Sequence, residues 1–131
     1  MVLMRLFRTK YPSSHLRRDL RFVRTLASPY HVVPDEHTGR YRISSKAFGP
    51  SSSDGKLSGD LEQVLNADGL EATAMYPAIK NPVGAAAISI ENILAANASV
   101  EHDITWTNFY HGSVLGTKAK RVREKLCQSG N

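Results

Sequence analysis

The sequence predicts one small α/β or α+β domain, built from a single mixed sheet with flanking helices. Its 131 residues are enough for one ordinary domain and too few for two. Hydrophobic residues make up 41% and charged residues 22% of the chain, as in typical globular proteins. Apolar residues at helical spacing also alternate along the chain with short runs of β-forming residues, which favours a mixed class.

The beginning of the chain predicts a basic segment followed by a basic helix. Residues 1–12 mix basic and apolar side chains without a clean period, so the domain is expected to cover residues 13–131. Within it, residues 14–27 are predicted to form a helix that Ser13 or Ser14 caps and Pro29 ends. Four apolar residues recur at helical spacing in this segment. They are Leu16, Leu20, Val23 and Ala27.

The middle of the chain predicts a strand, a loop, a helix and a second strand. Residues 40–44 alternate between polar and apolar side chains, as a short strand does. Residues 49–55 are rich in Gly and Ser and predict an exposed loop. Residues 59–67 are expected to form a helix that begins after Ser58, and residues 70–75 a weakly alternating strand.

The second half of the chain gives more local signals. Residues 83–90 form a run of small apolar residues that predicts a buried strand. Ser89 is then placed to cap a helix over residues 90–98. Residues 100–107 and 112–115 carry β-forming residues and are expected to pair. Residues 117–128 predict a final helix, so that basic helices stand at both ends of the domain.

Positive charge is concentrated at both ends of the chain. Residues 1–25 hold seven basic and one acidic side chain, and residues 118–131 hold five basic and one acidic side chain. The remainder is acidic, although the whole chain carries a net charge of +5. Such blocks predict that the ends meet an acidic partner, which is nucleic acid, an anionic surface or the acidic middle of the protein itself.

The first functional hypothesis is therefore a binding module. Basic stripes on the two terminal helices would engage either the backbone of a nucleic acid or an acidic protein partner. No zinc-finger spacing and no aromatic RNA-binding octamer occurs, so nucleic acid would be recognised by backbone and shape. The residues concerned are Arg17, Arg21 and Arg24 on the first helix, and Lys118, Arg121 and Lys125 on the last.

The second hypothesis is an enzyme that acts on a phosphorylated or nucleotide-type ligand. Arg40, Arg42 and Ser44 recur at the strand period and, with Lys46, can hold a phosphate or a carboxylate. His111 adjoins a glycine and can act as a general acid or base, with Ser44 as a second catalytic candidate. The sequence leaves open whether the protein is an enzyme.

The third hypothesis is a non-catalytic subunit that docks into a larger assembly through its basic termini. No apolar run approaches the about 20 residues of a membrane span, and Arg5 interrupts any secretory signal. A cytoplasmic location is therefore expected, with a mitochondrial one as the minor alternative because the first 18 residues are basic and lack acid. The five histidines lack metal-site spacing, so neither a metal nor a cofactor is predicted.

Overall fold

The described residues of this α+β fold form seven strands, five of them in one sheet. The computed structural model describes residues 9–26, 32–34, 37–39, 41–43, 56–78, 84–117 and 120–129. The strands are β1 (Arg21–Leu26), β2 (Val32–Pro34), β3 (Tyr41–Ile43), β4 (Lys56–Leu61), β5 (Gly84–Ser89), β6 (Ser99–His102) and β7 (His111–Leu115).

The central sheet has the strand order β5-β1-β4-β7-β6. Every neighbouring pair in it is antiparallel, so the expected mixed sheet is wrong in this respect. Strands β6 and β7 follow each other in the chain and pair as a hairpin, which an antiparallel arrangement allows. Strands β2 and β3 pair separately as a two-stranded ribbon.

In the described ranges, three α-helices accompany the sheet: α1 (Glu62–Ala67), α2 (Ile90–Ala95) and α3 (Lys120–Ser129). The predicted change from strand to helix at Ser89 is confirmed, because its side chain accepts a hydrogen bond from the Asn92 backbone N–H at 3.1 Å. The predicted final helix is confirmed as α3. Within the described segments, no helix combines the length and the apolar character needed to cross a membrane.

The register of the strands separates the sheet into two faces, since directly paired residues point to the same side. Phe22 is paired with Leu61 and Ile88, and Leu57 is paired with Val114. We call this the helix-covered face, because these side chains share one buried cluster with residues of all three helices. The helices contribute Val64, Leu65, Ile93 and Leu126, among others.

The opposite side of the sheet, which we call the polar face, carries mainly hydrophilic residues. Asp60 is paired with His111, and Ser58 is paired with Ser113. Lys56 lies on the same face and contacts Glu101 of β6 through an ion pair of 3.0 Å. The alternation along β4 and β7 therefore places the chemistry-bearing side chains together, away from the apolar cluster.

The predicted basic helix over residues 14–27 is wrong. Residues Ser13–His15 form a 3₁₀ turn, and residues 21–26 form strand β1 in the middle of the sheet. The segment contains Phe22, Val23 and Thr25, which favour a pleated surface, and pairing on both sides outweighs the weak helical period. The described residues therefore form no basic helix at this place. Near the C-terminus the helix α3 is present, and its basic stripe stays a prediction.

Two predictions in the middle of the chain also change. Residues 59–61 belong to strand β4, and the helix begins only at Glu62. The strand predicted over residues 70–75 is wrong, because local turns occupy this segment. In these turns Leu70 N–H donates to the Leu65 carbonyl and Ala74 N–H donates to the Glu71 carbonyl. Of the strand predicted over residues 40–44, the described part is confirmed as β3.

Candidate functional site

A polar cleft of about 430 Å³ lies where β1, β4 and β7 meet the connection from β6 to β7. Polar side chains from all these elements reach it. They include Arg24, Ser58, Asp60, Thr107, Asn108 and His111. Its volume falls within the range of about 300–1,000 Å³ that is usual for small-molecule sites.

Arg24 of β1 supplies the positive charge of the cleft. Its Nη1 donates a hydrogen bond of 2.8 Å to the carbonyl of Ser58, while its buried Nε has no hydrogen-bond partner in the part of the chain that the structure describes. Burial lowers the pKa of Arg24, and no carboxylate among the described residues pairs with the guanidinium. An incompletely paired buried cation is costly, and an anionic ligand would offset that cost.

Asp60 of β4 is a half-buried carboxyl on the floor of the cleft. Burial raises the pKa of Asp60, whereas a hydrogen bond from Asn108 and the positive charge of a protonated His111 act in the opposite direction. The Asn108 bond runs from Nδ2 to Oδ1 at 2.7 Å. This carboxyl therefore takes up a proton more readily than an exposed aspartate does, which suits proton transfer.

His111 of β7 is the direct cross-strand partner of Asp60. Its Nδ1 lies 2.7 Å from the carbonyl oxygen of Asp103, and because a carbonyl only accepts, Nδ1 carries the proton of the neutral ring. Nε2 then holds a lone pair, and nothing in the described part of the chain bonds to it. A neutral imidazole fixed in this way can act as a base toward a ligand.

A second layer of hydrogen bonds holds these groups in place. Asn108 is fixed at both ends of its amide, because its Oδ1 also accepts from the Tyr110 backbone N–H at 2.9 Å. Asp103, whose carbonyl binds His111, accepts a bond of 2.7 Å from the Ser113 hydroxyl at its carboxylate. Lys56 Nζ lies 3.8 Å from the same carboxylate. The polar face is therefore preorganised around the cleft.

The enzyme candidates of the sequence are placed only in part. His111 lies in the cleft, and its catalytic role stays a prediction. Arg42 belongs to β3, where it pairs with Val33, but its side chain lies outside the described part. Arg40, Ser44 and Lys46 also lie outside the described residues, so the anion site expected on that strand stays a prediction.

The arginines expected to form a basic stripe are instead distributed over separate contacts. Arg17 forms an ion pair of 2.6 Å with Asp19, and Arg21 one of 2.8 Å with Glu62. Arg24 lies in the cleft. Part of the N-terminal positive charge is therefore neutralised within the protein. Of these two pairs, the one between Arg21 and Glu62 joins the basic N-terminal block to the acidic middle, which was one of the three partners that the sequence allowed.

The C-terminal candidates remain on α3 or next to it. Lys125 is exposed on this helix. Arg121 belongs to the same helix, but its side chain is outside the described part, as is the whole of Lys118. Binding of a partner by these three residues stays a prediction.

Sequence reasoning missed Asp60, Asn108 and the cleft position of Arg24. One signal was present for Asp60: Leu57, Gly59 and Leu61 alternate with Ser58 and Asp60, as expected of a strand with one polar face. No local signal connects Asp60 with Asn108, because the two are 48 residues apart and meet only through strand pairing.

The comparisons with known proteins assign no function, so the functional proposal is based on the cleft. No family model, curated protein or solved structure matches this chain. Among the described residues, no group of three or more His, Cys, Asp or Glu side chains is arranged to hold a metal ion.

Proposed function

We propose that the protein is an enzyme that binds a phosphorylated ligand in the polar cleft and transfers protons with His111 and Asp60. The observation that carries this proposal is the buried guanidinium of Arg24, which has no carboxylate partner among the described residues and faces a cleft with a fixed imidazole. Arginine binds phosphate through paired N–H donors, so a phosphate would supply the missing counter-charge.

The two titratable groups beside Arg24 fit the roles of base and acid. Nε2 of His111 would take a proton from an attacking water or hydroxyl group as its oxygen approaches the phosphorus. Asp60, whose pKa burial raises, would then give a proton to the departing oxygen. The cross-strand pairing places both groups on the same face of the sheet. The reaction class is therefore phosphoester hydrolysis or transfer.

The other two hypotheses remain proposals with less support. Binding of nucleic acid or an acidic protein through terminal helices now depends on α3 alone, because Arg17 and Arg21 pair with carboxylates of the protein. A role as a non-catalytic subunit depended on docking through the basic termini, and residues 1–8, 118–119 and 130–131 lie outside the described residues. The cytoplasmic location also stays a proposal, which is supported by the sequence alone.

The test measures phosphate binding and turnover separately. Binding of inorganic phosphate and pyrophosphate is followed by calorimetry, and hydrolysis is followed with p-nitrophenyl phosphate and bis-p-nitrophenyl phosphate. Arg24→Gln should weaken phosphate binding at least about tenfold, as loss of a charged hydrogen-bond donor does. His111→Gln should leave binding within about twofold but slow turnover by about 10²–10⁴.

Two exposed residues supply matched controls. Arg18→Gln removes an arginine, and His15→Gln a histidine, neither of which lines the cleft. Both should bind phosphate and turn over like the wild type, and circular dichroism should show that all four variants are folded. Phosphate binding that is unchanged in Arg24→Gln would overturn the proposal. Arg24-dependent binding with no turnover of either substrate would overturn its catalytic half.

A further inference from the structure

Trp106 is fully exposed, with an exposed fraction of 101%. It lies in the connection between β6 and β7 and directly precedes Thr107, which lines the cleft. It is also the only tryptophan of the chain. A side chain of this size is usually largely buried, so its complete exposure beside a candidate site calls for an explanation.

The turn that carries Trp106 is held by hydrogen bonds on both sides. Thr105 N–H donates to the Asn108 carbonyl at 3.1 Å, and Asn108 N–H donates to the Thr105 carbonyl at 3.4 Å. The Asn108 N–H also lies 3.1 Å from the Thr105 hydroxyl, which can accept from it. Asn108 in turn binds Asp60 in the cleft. Trp106 thus lies on a turn that is anchored to Asp60, one of the residues that line the cleft.

The neighbours of Trp106 decide what kind of partner it suits. The connection contains Asp103, Thr105, Thr107 and Asn108 but no basic residue, whereas a membrane-anchoring segment usually pairs its aromatic residues with Lys or Arg. Ile104 is the other large apolar residue of the connection that is exposed, at 38%. One flat ring among small polar side chains suits stacking on another flat ring better than docking of an apolar protein surface.

We propose that the ligand of the cleft is a nucleotide, whose phosphate binds Arg24 and whose base stacks on Trp106. This inference rests on the proposed phosphate site and specifies the ligand class. The cleft receives the phosphate and sugar, while the indole at its edge covers one face of the base. A free mononucleotide and the end of a single-stranded nucleic acid offer the same base and phosphate chemistry.

The single tryptophan gives a direct readout. AMP should quench the fluorescence of Trp106, whereas ribose 5-phosphate should bind at least about tenfold more weakly without quenching. In calorimetry, Trp106→Leu should weaken AMP binding by about tenfold and leave the binding of ribose 5-phosphate unchanged. Trp106→Phe should recover part of the affinity, since it keeps an aromatic face. Leu94→Ala, which removes an exposed apolar side chain outside the cleft, should bind both ligands like the wild type.

The same titrations separate this inference from the proposed function. If AMP binds no more tightly than ribose 5-phosphate, or Trp106→Leu binds AMP like the wild type, the nucleotide assignment is wrong. Binding of ribose 5-phosphate that depends on Arg24 would still support the phosphate site. Failure of both ligands to bind would overturn both proposals. Trp106-dependent binding of lipid vesicles or self-association, without AMP binding, would also overturn the nucleotide assignment.

A last binding experiment distinguishes a free mononucleotide from the end of a single-stranded nucleic acid. A single-stranded RNA tetramer is compared with AMP in the wild type and in Trp106→Leu. Binding of the tetramer at least about tenfold more tightly than AMP, with the same loss in the variant, identifies the end of a nucleic acid. Equal affinity identifies a free mononucleotide. Both results support stacking of the base on Trp106.

Discussion

The two faces of the central sheet use the same strands for different purposes. On the helix-covered face, Phe22 and Leu61 are paired and are almost completely buried. On the polar face, Asp60 and His111 are paired, half-buried and in contact with the cleft. Because neighbouring residues of a strand point to opposite sides, stability and chemistry are separated by one position in the sequence.

Two histidines show the difference most clearly. His102 is buried on the helix-covered face, where its Nδ1 accepts from Tyr11 N–H at 2.9 Å and its Nε2 donates to the Phe109 carbonyl at 2.7 Å. His111 lies on the polar face and binds a carbonyl through Nδ1. In their neutral forms the two rings therefore carry the proton on different nitrogens, and His111, which lines the cleft, keeps the lone pair of its Nε2. The face of the β6–β7 hairpin on which a histidine lies therefore determines whether it belongs to the buried core or to the cleft.

The strongest test of the helix-covered face removes one apolar side chain from α2. Ile93 is completely buried in the core cluster, while its neighbour Leu94 is 39% exposed. Ile93→Ala should lower the free energy of unfolding by about 2–5 kcal/mol, because it removes buried surface and leaves a cavity. Leu94→Ala should cost much less, within about 0.5 kcal/mol of the wild type. Urea denaturation measures both, and equal losses would mean that α2 is not packed on the sheet as described.

A second test concerns the close approach of strands on that face. A Cβ at Gly59 would clash with a ring carbon of Phe22 and would lie 2.7 Å from the backbone oxygen of Val23. Gly59→Ala should therefore destabilise the protein by about 1–3 kcal/mol, as overpacking does. Gly84 on the edge strand has nothing within 4 Å of the same position. Gly84→Ala is the matched control, and its unfolding free energy should be unchanged or slightly higher.

These features bear on how much of the fold the sequence predicts. The strand β5, the cap at Ser89 and the helix α2 follow each other within a short stretch, and each has a local signal, so this part was predicted. The helical period predicted for residues 14–27 depended on including Leu20 and Ala27 among the apolar positions. The segment instead becomes a strand because it pairs with β4 and β5, which lie far along the chain. Local periodicity contains no information about such partners.

The site was predictable to the same limited extent. His111 attracted attention because it adjoins Gly112, and the structure places it in the cleft. Asp60 was assigned to a helix start, since carboxylates are common there. Its actual neighbours, His111 and Asn108, come from a distant hairpin. Arg24 was expected on an exposed stripe, and only the tertiary arrangement buries its guanidinium beside Ser58.

The two histidines, His102 and His111, should also differ in how much they contribute to stability. His102→Gln should lower the free energy of unfolding by about 1–2 kcal/mol, because both polar atoms of the amide lie on its terminal carbon and cannot satisfy both Tyr11 N–H and the Phe109 carbonyl in a buried place. His111→Gln should change it by less than about 0.5 kcal/mol, since its ring is half-buried and makes a single hydrogen bond among the described residues. Thermal and urea unfolding of the two variants measure this contrast. A larger loss in His111→Gln would make that residue structural too.

The smallest expected effect is a difference between Asp60 and Glu62 in how their contributions to stability depend on pH. Burial raises the pKa of Asp60, so its contribution to stability declines as the pH rises from the ordinary value of an aspartate through the raised value. The hydrogen bond and charge of Arg21 lower the pKa of Glu62, so its contribution is present above the ordinary value of a glutamate and is lost as the pH falls through the lowered one.

Neutral amides at the two positions should therefore shift the pH profile in opposite directions. The free energy of unfolding of Asp60→Asn, relative to the wild type, should rise with pH, because the variant avoids burying a charge. The free energy of unfolding of Glu62→Gln, relative to the wild type, should fall as the pH rises. At neutral pH the variant should be less stable than the wild type by less than about 1 kcal/mol, since the ion pair between Glu62 and Arg21 is partly exposed. Urea denaturation between about pH 3 and pH 7 covers both titrations. Parallel slopes would contradict the burial of Asp60 and, with it, the proton-donating role assigned to this carboxyl in the cleft.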